Sequence, residues 1–190
     1  DPGLRAPLPE TAETGVLVEL ASTRDDDAAV DDDGSVRLQN VMLNVTASLM
    51  EQGIVTDGFF ATSEQQRLDL WAVREAVLET IRAQGRYTSL DAALPISDIA
   101  TFLDRARPVT ASAGLRAMLV GHLGDGNIHY AVTALPGEAW DQSIVDAWEG
   151  KMLDLLLDMG GTFSAEHGIG RAKARVLAGR KDPAQYEAMQ

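Results

Sequence analysis

Apolar and polar residues alternate along the chain at spacings that divide it into short elements. Gly15–Ala21 and Val55–Ala61 read as strands, as does Tyr87–Leu94, which ends at Pro95. Leu115–Leu123 and Ile128–Thr133 read as two more, on either side of Gly124-Asp125-Gly126-Asn127. Helical spacing of Leu43, Val45, Leu49 and Met50 predicts a helix over Asn40–Gln52, stopped at Gly53. Ser63, with Gln66 three residues on, has the form of a capping box for a long helix to about Arg82, with Leu70, Val73, Val77 and Ile81 as its buried stripe. Ile96–Ala106 is a further helix, capped by Ser97. Gly137–Asp158 is amphipathic, with Trp140, Ile144, Trp148, Met152, Leu155 and Met159 on its apolar face. A strand at Thr162–Ala165 and a short helix at Arg171–Ala178 close the series. Strands and helices interleaved in one lobe predict an α+β fold, a largely antiparallel sheet with helices packed on one face.

Charge and composition narrow the function classes. Among 190 residues, 16 Lys+Arg face 29 Asp+Glu, a formal charge of −13 with no basic cluster, so nucleic acid and anionic membrane surfaces are poor partners. No apolar run reaches the roughly 20 residues that span a bilayer. The start, Asp1-Pro2-Gly3-Leu4-Arg5, lacks the form of a secretory signal. The absence of cysteine removes disulfides, thiolate ligands and a Cys nucleophile, and fits a reducing, cytoplasmic location. Asp25-Asp26-Asp27 and Asp31-Asp32-Asp33 lack the spacing of a calcium-binding loop and read as a solvated hairpin.

All three histidines, His122, His129 and His167, fall in two glycine-rich segments. With Asp125-Gly126 as a two-residue hairpin tip, His122 and His129 become direct cross-strand neighbours, Cβ atoms roughly 4.5–5.5 Å apart. Two imidazoles and a carboxylate suit Zn²⁺ or another first-row divalent ion, and Glu166 is the best third ligand. In an extended segment Glu166 would face the metal and His167 would face away from it, toward a substrate. The alternative is a turn-flanking histidine pair and a polar loop. Arg74, at the edge of its helix's apolar stripe, needs a partner for its charge, or snorkels to water. Gly168-Ile169-Gly170 with Lys173 completes neither a dinucleotide fingerprint nor a P-loop, and no Gly-x-Ser-x-Gly elbow is present.

His122-x-Gly-Asp-Gly-Asn-x-His129, Ala165-Glu166-His167-Gly168-Ile169-Gly170, Leu70-Trp71-x-x-Arg74-Glu75 and Asp91-x-x-Leu94-Pro95 together resemble a known family. It is the C-terminal substrate domain of FAD-linked oxidases, in the branch of D-lactate, glycolate and D-2-hydroxyglutarate dehydrogenases. The resemblance implies a ferredoxin-like α+β cap over a flavin. It implies that His122, His129 and Glu166 hold a divalent metal, usually zinc, that Arg74 and Asn127 bind a 2-hydroxy acid, and that His167 takes the hydroxyl proton as hydride leaves for FAD. The dicarboxylate-oxidising members carry Thr and Lys where this chain has Leu78 and Ser89, which favours smaller or more apolar acids. Against that family the 190 residues read as a fragment, without the FAD-binding domain and the extreme C-terminus, inactive alone and able to form a homodimer through exposed apolar surface. The residues do not specify the electron acceptor. Two other readings stay open: a metal-dependent hydrolase using the same three ligands, and a non-catalytic metal-binding module.

Overall fold

A computed structural model describes residues 7–8, 13–32, 34–171 and 173–189. Asp1–Arg5 and Asp33, on which the leader and acidic-loop expectations partly rest, lie outside the described residues. The chain divides into two compact units, Asp1–Val77 and Leu78–Gln190.

The first unit holds two helices, α1 (Arg37–Glu51) and α2 (Glu64–Glu75). α2 starts where the sequence places it: the Ser63 hydroxyl accepts the Gln66 N–H at 3.3 Å. The Gln66 carboxamide reaches one residue further back than in a capping box, accepting from the Thr62 N–H at 2.7 Å. Glu19 accepts from the Trp71 indole N–H and lies 3.3 Å from Arg67. The acidic stretch forms a 3₁₀ turn at Asp25–Ala28 and an antiparallel bridge between Val30 and Val36. Gly15–Ala21 and Val55–Ala61 are not strands. Their alternation fits a pleat, but a strand exists only where another strand takes its N–H and C=O groups. The expected long helix is interrupted at Ala76, at the boundary between the units, and resumes as α3 (Val77–Ala83).

The second unit is built on three antiparallel strands, β1 (Tyr87–Ala93), β2 (Leu115–His122) and β3 (Asn127–Ala134), in the order β1-β3-β2. α4 (Ile99–Ser112) crosses from β1 to β2, and β3 fills the gap between them, the split βαβ core of a ferredoxin-like α+β fold. α5 (Gln142–Asp158) follows β3, and Thr162–Ser164 returns along β1 with isolated bridges at Ala93–Thr162 and Asp91–Ser164 instead of the expected full strand. α6 (Ala174–Arg180) and α7 (Pro183–Ala188) complete the chain, α7 without a counterpart in the sequence expectations.

Helices α4 and α5 cover one face of the sheet. Leu90, Ala92, Ile128, Tyr130 and Val132 meet Phe102, Ala106, Trp148, Met152 and Leu156 there. At its centre the Thr110 hydroxyl donates to the Ala106 carbonyl at 3.1 Å, accepts from the Trp148 indole at 3.0 Å and pairs with the Tyr130 hydroxyl at 2.9 Å. One hydroxyl thereby satisfies both polar atoms of the two largest buried side chains. This packing carries α4 through Pro108 to Ser112, past the expected end at Ala106, and the helix starts at Ile99 without a Ser97 cap.

The buried stripe of α5 also differs from expectation. Val145, Trp148, Met152, Leu153 and Leu156 are buried, while Ile144 is 42% exposed. A stripe taken at every fourth residue drifts by about 40° per step on a helix of 3.6 residues per turn. Ile144 therefore turns outward, Trp148 and Met152 are fully buried, and Leu155 and Met159 pack partly buried against the core. Trp140 precedes the helix, which is capped by the Asp141 carboxylate accepting from the Ser143 N–H at 2.8 Å.

Candidate functional site

The other face of the sheet carries the chemistry. Because side chains alternate along a strand, Ile128, Tyr130 and Val132 of β3 point to the helices, while Asn127, His129, Ala131 and Thr133 point to the opposite side. His122 and Asp91 join that side, since His122 pairs with Asn127 and Asp91 pairs with His129.

The hairpin register departs from expectation. His122 stands opposite Asn127 and His129 opposite Val120, so the loop has four residues, Leu123–Gly126, and the two histidines are diagonal neighbours. Asp125 shapes that loop: its N–H donates to the His122 carbonyl at 3.3 Å, and its side chain accepts from the Asn127 N–H at 3.4 Å. The Leu94 N–H donates to the Gly126 carbonyl at 3.1 Å, tying the loop to the end of β1. Gly126 has φ 77°, and a Cβ there would run into the Leu94 carbonyl oxygen, so this approach admits only glycine. The altered pairing keeps both imidazoles on one face, ring centroids 5.6 Å apart and nearly perpendicular.

Glu166 completes a cluster. Its carboxylate lies 3.8 Å from His122 Nε2 and 3.5 Å from His129 Nε2, and one ligand atom from each of the three residues falls within 4.8 Å of the others. Tetrahedral coordination at 2.0–2.1 Å places ligand atoms roughly 3.3 Å apart, so two imidazoles and a carboxylate at these separations fit a Zn²⁺-sized ion. The His167 ring lies 5.4 Å from that of His129. Asp91, His129 and His167 form a second grouping of potential ligands that shares His129.

The expected extended segment is absent at Ala165–His167. The N–H groups of Ala165, Glu166 and His167 converge on one oxygen, Asp91 Oδ2, at 3.0, 3.0 and 2.9 Å. An extended strand would turn successive N–H groups to opposite sides; this curl instead brings Glu166 and His167 both toward His129. Lys173, considered in the sequence for phosphate binding, donates to the Phe163 carbonyl at 2.7 Å and lies 4.0 Å from Asp91 Oδ2.

Electrostatics follow from burial. Asp91 is 4% exposed. Burial raises its pKa, but the three backbone donors and Lys173 outweigh it and hold the carboxyl below the usual range. Burial likewise lowers the pKa of His129; the neighbouring histidines act in the same direction and the Asp91 and Glu166 carboxylates oppose. A neutral imidazole is the form that binds a metal.

Asn127 is buried, and neither its side-chain oxygen nor its nitrogen has a hydrogen-bond partner among the described residues. Arg74 belongs to the first unit, on α2, with Nη1 3.4 Å from Glu75. Asp91 has a structural part in the site that its sequence motif did not disclose. The signal was there: an acid inside the run Leu90-Asp91-Ala92 is buried only when its oxygens are satisfied.

Residues 6–190 match the model of the family described as FAD linked oxidases, C-terminal domain. The chain belongs to this family. Among curated relatives, it is 33% identical over 149 residues to the mitochondrial D-2-hydroxyglutarate dehydrogenase of Rattus norvegicus, covering 78% of this chain and 27% of the relative. It is 31% identical over 165 residues to the D-lactate dehydrogenase of Anaerostipes hadrus, covering 86% and 34%. Identity to the D-2-hydroxyglutarate dehydrogenase of Stutzerimonas stutzeri is 31% over 149 residues, covering 74% and 31%. The chain thus spans about a quarter to a third of the length of these relatives.

Proposed function

We propose that this chain is the substrate- and metal-binding part of an FAD-dependent D-2-hydroxyacid dehydrogenase that oxidises a 2-hydroxy acid to a 2-oxo acid. The observation that carries the reading is the convergence of His122, His129 and Glu166 beside His167 on one sheet face. A divalent cation such as Zn²⁺ held there would supply Lewis acidity to the alcohol, and FAD, held mainly by another domain, would accept the hydride. The chain's own residues divide the remaining work. His122, His129 and Glu166 hold the cation. His167 receives the hydroxyl proton, and Arg74 and Asn127 are the substrate-binding residues, Arg74 for its carboxylate.

D-lactate or glycolate is the preferred substrate class over D-2-hydroxyglutarate. Leu78 and the short, uncharged Ser89 stand where the resemblance leads one to expect Thr and Lys for a second carboxylate, and Ser89 pairs with Ala131, another small residue. The names of the relatives cover both D-lactate and D-2-hydroxyglutarate. A cytoplasmic location and homodimerisation of the isolated chain belong to the same reading; none of the described helices is long and apolar enough to cross a membrane.

The test is turnover by the full-length protein of a panel of D- and L-2-hydroxy acids. D-lactate or glycolate should be oxidised, chelator should abolish the activity and Zn²⁺ restore it, and His167→Ala should lower kcat at least 100-fold. Chelator-sensitive ester hydrolysis without turnover of any 2-hydroxy acid would replace this reading with a hydrolase.

A further inference from the structure

We infer that Asp91 is the positioning residue of this site, with each carboxylate oxygen holding a different part of it. Oδ2 takes the three consecutive N–H groups of Ala165, Glu166 and His167 and so fixes the curl that presents two functional side chains. Oδ1 is buried without a hydrogen-bond partner among the described residues and faces His129 Nδ1 at 3.7 Å. A proton on that nitrogen directs a donor at Oδ1; the opposite tautomer would set a lone pair against a carboxylate.

Two carboxylates compete for the single proton of neutral His129, because Glu166 lies 3.5 Å from Nε2. Exposure decides between them. The Glu166 side chain is 46% exposed and can take its hydrogen bonds from water, whereas that of Asp91 is 6% exposed and cannot. His129 is therefore the Nδ1–H tautomer, with its Nε2 lone pair directed at Glu166 and His122. The same carboxylate that orients the imidazole also sets the backbone of Glu166, so one buried acid registers two of the three proposed ligands. The consequence for a cation rests on the metal-binding reading; the tautomer does not.

Histidine-¹⁵N-labelled full-length protein, stripped of metal, tests this directly. Long-range ¹⁵N–¹H correlations, assigned with His129→Gln, should show His129 protonated on Nδ1 when neutral. In Asp91→Asn the amide oxygen takes the three backbone donors and turns the NH₂ toward His129, so the tautomer should switch to Nε2–H and Zn²⁺ or Co²⁺ affinity should fall ~10–100-fold. Lys173→Met, which loosens the same segment without facing Nδ1, should leave the tautomer unchanged. An Nε2–H tautomer in the unsubstituted protein would overturn the inference, as would Asp91→Asn with unaltered tautomer and affinity. If Asp91→Asn does not fold, the tautomer of the unsubstituted protein decides. Nδ1–H in a protein that binds neither metal would remove the metal reading and leave the positioning role standing.

Discussion

The two units use similar apolar content in opposite ways. In Asp1–Val77 no described residue is buried, and Val16, Val41, Val45, Ile54 and Phe59 are each more than 40% exposed. In Leu78–Gln190 the large side chains Trp148, Tyr130, Phe102 and Met152 are almost fully enclosed. An apolar pattern states what a segment can bury, not that a surface is present to bury it against. Substitutions should therefore be felt very differently in the two. Trp148→Ala should cost about 3–5 kcal/mol in urea unfolding, because it opens a cavity and removes a donor from the Thr110 hydroxyl. Leu43→Ala, at a side chain 44% exposed, should cost less than about 0.5 kcal/mol. Equal losses would mean that the first unit has a core of its own.

A smaller effect is expected at the hairpin that carries the histidines. Gly126→Ala places a Cβ against the Leu94 carbonyl at a positive φ and should cost about 1–3 kcal/mol, shifting the melting temperature and weakening divalent-metal binding together. A variant that melts early yet binds metal normally would separate the loop from the site.

The two helix caps give the finest contrast. Ser63 caps α2 in the first unit with a hydroxyl, and Asp141 caps α5 in the second with a carboxylate. The Ser143 hydroxyl, followed by the N–H groups of Ser143 and Ile144, holds the Asp141 pKa below the ordinary range. A folded pKa below the unfolded one, about 3.9, contributes stability that is present above that value and lost as pH falls through the folded value. Asp141→Ala should lower the melting temperature at pH 7, and the difference should shrink below about pH 4. Ser63→Ala should cost about 1 kcal/mol at any pH. A pH-independent Asp141 effect would show that packing, not the cap, holds the start of α5.

The sequence was most legible where local chemistry and tertiary contact agree. Ser63 caps its helix because the acceptor and the N–H it serves are three residues apart, and β1, β2 and β3 were readable because each has a neighbour that uses its alternation. Gly15–Ala21 and Val55–Ala61 have alternation without that neighbour. The histidine segments were found by composition, but their geometry was not: the four-residue loop depends on the Asp125 side chain and on the distant Leu94 N–H, which no two-residue turn rule includes. The convergence of three N–H groups on Asp91 joins residues 74 to 76 positions apart, a relation that only the folded chain expresses.

Strand β3 serves two masters by turns, since each even-numbered residue from Ile128 to Val132 faces the helices and each odd-numbered one faces the histidine cluster. An added or lost residue inside it would swap these roles, turning His129 into the apolar interior and Tyr130 out of it. Loss of the histidine cluster and loss of the fold would then arrive as a single event, so this short strand tolerates exchange of its letters far better than any change in their number.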